Sequence, residues 1–400
     1  AYSGKGHMEL NKQYNRERRN SQFAEKQPPI TVIYGKDPVY MTNILLKTVD
    51  LKRYIPKGSS IALKPNLVVS NTAKSGATTT PEVVETVVQY LQENGYDDIS
   101  IIEGSWLAAD TMRSFEVCGY ADISKKYGVP LVDTKQDSTT SVTIDGYSID
   151  ICNSALEADV LINFPVLKGH GQTQLTGALK NLKGIIPDKE KRRFHAEGLH
   201  EPIARLNQMY KPTFHIMDGI CGDLGFEEGG NPSTMYRMLA CEDPVLLDSY
   251  QSTLMYLDID EVPFIRRSHQ LGCGELYDPA REEELVLHLN EPETDYSMPK
   301  YSRNIPELVS QDLACSSCYG TLFQALLDVD ETLWQRIRQK FEDNGRKPVF
   351  SVGQAFKEKE WSSDIPLGIG VCTRGAAQSV KGCPPRKEDI IEQIKQVFQF

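Results

Sequence analysis

Four hundred residues, 40% of them hydrophobic, suffice for two or three domains with a sizeable core and exclude a disordered chain. A formal net charge of −11 argues against a general nucleic-acid binder. No apolar run of about 18 residues occurs, so no membrane span is expected.

Ala1–His7, ahead of Met8, reads as an expression-vector remnant, and the charged stretch up to residue 27 as a polar leader. No basic segment followed by an apolar one opens the chain, so no export signal is expected and the compartment is read as the cytoplasm. In that reducing setting nine cysteines are more often thiols or metal ligands than disulfides.

The first body, 28–262, reads as strand–helix alternation. Ile30–Tyr34 is a β-branched strand, residues 40–51 have helical spacing, and 60–64 form a buried strand stopped by Pro65. The Ser/Thr/Gly-rich loop 70–80 leads to a helix over 81–94, with Thr80 as cap and Pro81 at its first position. Strand 99–103, helices 115–119 and 121–127, strand 131–133 and a hairpin around Asp145-Gly146 follow. Then come strands 160–164 and 214–218, a Gly-rich loop to Gly230, a strand at 238–240 and a helix over 244–257. This order predicts a Rossmann-like, mostly parallel sheet. Residues 263–303, acidic and Pro-containing, read as a connector.

Polar side chains sit where the strands end: Lys64 and Asn66, Glu103 and Ser105, Asn163 and Lys168, and Asp218. In a doubly wound sheet those ends share one edge, where ligands bind. After the strand at 160–164 comes a loop read over 165–200, rich in Gly, Lys, His and Thr. From Phe164 to Arg193 there are seven Lys/Arg against Asp188 and Glu190, a local charge of +5. Such a loop suits an anion. Lys64, Asn66, Thr78, Glu103, Ser105, Lys168, Thr176, Asn181, Lys183 and Asp218 are its candidate binding residues. His170 is the candidate acid/base, Lys180 an electrostatic clamp and His195 a further catalytic group. No GxGxxG or Walker loop occurs, so neither NAD nor ATP is implied. A flavin or another anionic cofactor is compatible.

The segments KPNLV (Lys64–Val68), GATTTPEVVETVV (Gly76–Val88), LKGHGQTQLTGALKNLKGIIP (Leu167–Pro187) and MDGICGDLG (Met217–Gly225) resemble the domain of unknown function 362 family, over roughly Ile61 to Asp258. The resemblance names no reaction. It implies frequent company with iron–sulfur segments and directs attention to the cysteines.

The last body, 304–400, reads as helix, strand, strand, helix, with Cys315, Cys318, Cys372 and Cys383 on loops or element ends. A cubane cluster needs four converging thiolates, and loops bring these together without distorting a strand. The GCPP segment at Cys383 resembles the last cluster ligand of the small iron–sulfur subunits of complex I and of nickel hydrogenases. Zinc would favour a second CxxC-like knuckle. A thioredoxin-like dithiol would leave Cys372 and Cys383 idle. The string His170, Thr176–Lys180, Pro187, His195 also resembles that of nickel-pincer lactate racemases. That likeness implies proton transfer for His170, cofactor holding for Lys180 and nickel for His195, but the paired histidines upstream are missing.

These observations point to an iron–sulfur redox enzyme, a reductase whose 4Fe–4S cluster delivers single electrons to an anionic small molecule or cofactor at the basic loop. A ferredoxin- or flavodoxin-like donor is the expected partner, and a homodimer is compatible. The alternatives are a non-catalytic electron carrier or cluster-handling protein, and an isomerase or racemase with a structural cluster.

Overall fold

The computed structural model describes residues 29–289, 297–298, 305–357 and 367–398. The leader 1–27 lies outside them, as do the parts of the connector at 290–296 and 299–303. The first body carries β1 (Ile30–Tyr34), β2 (Ile61–Lys64), β3 (Ile99–Glu103), β4 (Leu131–Asp133), β5 (Thr139–Ile144), β6 (Tyr147–Cys152), β7 (Val160–Asn163), β8 (Lys168–His170), β9 (Gln174–Thr176), β10 (Phe214–Gly222), β11 (Ser233–Cys241) and β12 (Glu284–His288). Eight of these form one sheet in the order β12-β1-β11-β10-β7-β2-β3-β4, in which only β11 runs against its neighbours. The fold is a mixed α/β architecture around a large, mostly parallel sheet.

The central strands are buried on both faces, which is why they read as continuous apolar runs. Their residues alternate between two cores. Ile61, Leu63, Ile99, Ile101, Val160 and Ile162 face one core, and Ala62, Ile102 and Leu161 face the other. Helix Pro81–Glu93 closes the first face with Val83, Val84, Val87, Val88 and Leu91, a helical stripe. Each such side chain, once buried, contributes about 1.5–3 kcal/mol.

Beyond β7 the structure departs from the expected loop. Residues 165–200 contain the β8–β9 hairpin, the one-turn helix Ala178–Asn181 and helix Asp188–Glu197, and a further helix, His200–Met209, follows. Helix Asp188–Glu197 was hidden because its buried face includes Glu190 and Lys191 beside Phe194. The stretch expected to connect two bodies begins with helix Pro263–Gln270 and then supplies β12, which pairs in parallel with β1 at the sheet edge.

The chain's last part carries β13 (Val309–Gln311), β14 (Phe350–Val352), β15 (Leu367–Ile369) and β16 (Ser379–Val380) in one parallel sheet. Helices Ser316–Asp328, Glu331–Asp343 and Lys387–Phe398 share its core. Two short strands, β13 and β16, add to the expected pair.

Candidate functional site

The sheet places the site. From β2 the chain moves outward through β3 and β4, then returns on the other side of β2 as β7. The strand order therefore reverses between β2 and β7, whose last residues, Lys64 and Asn163, are paired in register. A crevice at the carboxyl ends of such strands is the expected ligand position.

Lys64 and Glu103 end adjacent strands and are both buried. Lys64 Nζ donates to Glu103 Oε1 and Oε2 at 3.1 and 3.0 Å, and to Pro65 O at 3.0 Å. The carboxylate also accepts from the Leu67 and Gly104 amides. Burial pushes the Lys64 ammonium down from its usual range, and Glu103 pulls it back up. Gly184 leaves the room for this pair, since a Cβ there would lie 1.8 Å from Glu103 Oε1.

A chain of buried amides runs inward from the same edge. Lys168 Nζ donates to Asn66 Oδ1 at 3.1 Å, Asn66 Nδ2 to Asn181 Oδ1 at 2.9 Å, and Asn181 Nδ2 to Asn163 Oδ1 at 2.7 Å. Asn163 Nδ2 reaches Ala178 O and lies 3.1 Å from His215 Nδ1. Lys168 also donates to the carbonyls of Ala77 and Glu227. Burial, then the nearby Lys180 charge, bring its ammonium down to about 7.

His170 ends β8. Its Nδ1 accepts from the Gln172 and Thr173 amides at 3.0 and 3.2 Å, so the proton of the neutral ring sits on Nε2. That nitrogen lies 3.2 Å from Glu227 Oε1, off the line of a good hydrogen bond. Burial, followed by the charges of Lys180 and Lys183, holds the imidazolium well below its usual range. His170 is therefore a neutral Nε2–H donor facing a carboxylate.

Around it opens a cleft of about 520 Å³, its mouth included, lined among others by Asn66, Glu103, Trp106, Lys180, Lys183 and His195. Lys183 Nζ lies 3.2 Å from His195 Nε2, and His195 Nδ1 is buried without a hydrogen-bond partner among the described residues. Burial and the cations Lys183 and Lys180 bring the His195 imidazolium down to about 2. Lys191 is held by the carbonyls of Gly104 and Ser105. The Lys180 side chain makes no hydrogen bond among the described residues. Burial lowers its ammonium to about 8, and Glu227 opposes that shift. The lining is cationic, with Glu103 already matched by Lys64, and it suits a small anion.

Of the expected residues, Asn66, Glu103, His170, Thr176, Lys180, Asn181, Lys183 and His195 line this one cleft. Lys64 and Lys168 stand directly behind it. Three others do structural work elsewhere. Thr78 Oγ1 donates to Asn71 O, Ser105 Oγ donates to Leu67 O, and Asp218 accepts from the Thr80 and Ile220 amides. Glu227, Trp106 and Lys191 line the cleft without having been singled out. Glu227 lies in the Gly-rich loop after β10, a composition that marked the loop but not the residue. Lys191 was inside the +5 block.

The cysteines form a neighbouring group. Cys315 precedes helix Ser316–Asp328 and Cys318 sits in its first turn. Cys372 lies in the short helical turn Val371–Thr373 and Cys383 on a loop, the two segments joined by a hydrogen bond from Val371 N to Gly382 O at 3.0 Å. A Cβ on Gly370 would sit 3.3 Å from Cys318 Sγ, so that loop rests against the CxxC turn. The hydrogen bond from Cys318 brings the Cys315 thiol down to about 6, and the charges of Cys383 and Cys372 act on Cys318. The four thiols lie on three neighbouring segments, but among the described residues no group of three or more His, Cys, Asp or Glu side chains could hold a metal ion. The residue after Cys318, Tyr319, lays its ring on the His170 hairpin, where a Cβ on Gly171 would lie 2.4 Å from its Cδ1.

The chain is similar to known proteins over part of its length. A crystal structure of a Thermotoga maritima protein from the Northeast Structural Genomics Consortium overlaps 59% of this chain and 60% of its own, with 12% identity and a TM-score of 0.35, short of a shared fold. The thylakoid-associated protein sll1697 of Synechocystis sp. (strain ATCC 27184 / PCC 6803 / Kazusa) is 28% identical over 229 residues, 55% of this chain and 70% of that protein. Among the described residues no helix is long and apolar enough to cross a membrane. Residues 61–253 match the family described as Domain of unknown function (DUF362), a span that contains the whole cleft lining and stops short of the four cysteines.

Proposed function

We propose that this chain is an iron–sulfur redox enzyme whose cationic cleft binds an anionic small molecule or cofactor, with a 4Fe–4S cluster on Cys315, Cys318, Cys372 and Cys383. The observation that carries the reading is the contact of Tyr319, next to Cys318, with Gly171, next to His170, because it gives the thiols and the cleft a common wall. When bound, such a cluster supplies single electrons.

The chain's own residues would do the rest. Lys180 and the Lys183–His195 pair hold the anion, in a site where burial strengthens each charge. The Nε2–H of His170 and the carboxylate of Glu227 hold a proton at the cleft wall. A ferredoxin- or flavodoxin-like protein would supply the electrons.

The test is Lys180→Ala. Phosphate affinity, measured by calorimetry, should fall about tenfold, the size of one charge-assisted contact, while the EPR signal of the reduced protein stays as in the wild type. Equal phosphate affinity and equal electron-transfer rates in both proteins would favour a simple electron carrier.

A further inference from the structure

Three lysines line the cleft and Lys168 stands behind it; three of these four are spoken for. Lys168 donates to three acceptors, Lys191 to two backbone carbonyls, and Lys183 faces His195. The Lys180 side chain lines the cleft with no hydrogen bond among the described residues. Its backbone is nonetheless fixed. It sits in the one-turn helix Ala178–Asn181, whose first amides donate to Asp248 at 2.6 and 3.0 Å and whose last side chain is tied to Asn66 and Asn163. An amine without a hydrogen-bond partner, carried on a pinned turn among other cations, is the arrangement that activates a lysine as a nucleophile.

We propose that Lys180 binds a small carbonyl compound carrying a carboxylate or phosphate, as a covalent imine. The proposal rests on the anion-binding half of the reading above and is independent of the cluster. The Lys180 amine attacks the carbonyl carbon, and its displaced proton passes to the carbonyl oxygen. The resulting hydroxyl then leaves as water with the second nitrogen proton, and a C=N bond replaces C=O. Nothing is oxidised or reduced. Glu227, which lines the same cleft, carries the protons. The anionic arm is drawn by Lys183 and met by the unpartnered His195 Nδ1. With its ammonium at about 8, roughly a tenth of Lys180 is the neutral amine at pH 7.

The probe is pyruvate with sodium cyanoborohydride, which reduces imines to stable secondary amines, followed by peptide mapping. One adduct per chain is expected, on Lys180, with a rate that rises toward pH 8 and exceeds that of acetone at least about tenfold, the value of one charge-assisted contact. Lys180→Arg keeps the charge but removes the primary amine, and should lose the adduct. Lys126→Arg, at an exposed lysine outside the cleft lining, should keep the adduct. Labelling spread over surface lysines, or centred on Lys183, overturns the assignment. Pyruvate binding without an adduct overturns the imine and leaves the anion site standing. Failure to bind pyruvate and phosphate alike removes both.

Discussion

Lys64 carries a charge into the middle of a sheet, and the surrounding residues meet it fully: Glu103 answers it with two oxygens, and Gly184 clears the space. Removing one partner of such a pair strands the other, which costs about 3–5 kcal/mol. Glu103→Gln should therefore lower stability by that much in urea unfolding, and adding Lys64→Met should recover most of it. A loss under about 1 kcal/mol would mean that water reaches the pair. His170 makes a second prediction. Its folded imidazolium is held below the unfolded value, so below about pH 6.5 the unfolded state takes up a proton that the folded state refuses. Its contribution is full above that pH and is lost as pH falls. Relative to His170→Gln, the wild type should lose about 1.4 kcal/mol per pH unit below 6.5. Carbon-13 NMR of the ring should show the Nε2–H tautomer throughout, and a ring that protonates near 6.5 would contradict this. At this scale the sequence exposed polar residues by where strands end. It could not separate Asp218, which caps the turn into helix Pro81–Glu93, from Asn66, which faces the cleft, because both follow a strand.

The one-turn helix Ala178–Asn181 is too short to hold itself. Asp248, buried on helix Pro244–Leu254, accepts from its first two residues, and Gly177 leaves room for that carboxylate. Burial raises the Asp248 carboxyl to about 7, against the two amides that lower it. Asp248→Ala should cost about 1–2 kcal/mol as a lost cap and weaken phosphate binding, since Lys180 rides on that turn. Unchanged affinity in a destabilised protein would show that Lys180 is positioned by Asn181 alone. Strands were easy to read because β2, β3 and β7 are buried on both faces and apolar but for Ser100 and the polar residue that ends each. Helix Asp188–Glu197 escaped because it buries charged residues, and β12 because its edge position leaves it half exposed. Glu227 escaped for a related reason: its role comes from a long-range meeting with His170, which no local spacing records.

At the scale of the whole molecule the two sheets meet through aromatic contacts. Tyr319 lies on Gly171, Phe226 fills the space beside Gly320, and the Phe226 and Phe323 rings stack at 6.5 Å. Gly171→Ala would force Tyr319 aside, an overpacking that costs about 1–3 kcal/mol. On the proposed reading it should slow electron transfer to the cleft more than it weakens phosphate binding. Equal losses would indicate general damage to the hairpin. The central claim is that the four thiols hold a cluster beside this wall. Its most direct test is the iron, sulfide and zinc content of protein purified without oxygen, with the EPR spectrum after reduction. The account predicts about four irons and four sulfides per chain, a reduced-cluster signal, and loss of both in Cys383→Ala. Stoichiometric zinc without iron, or full iron retained in Cys383→Ala, would contradict it.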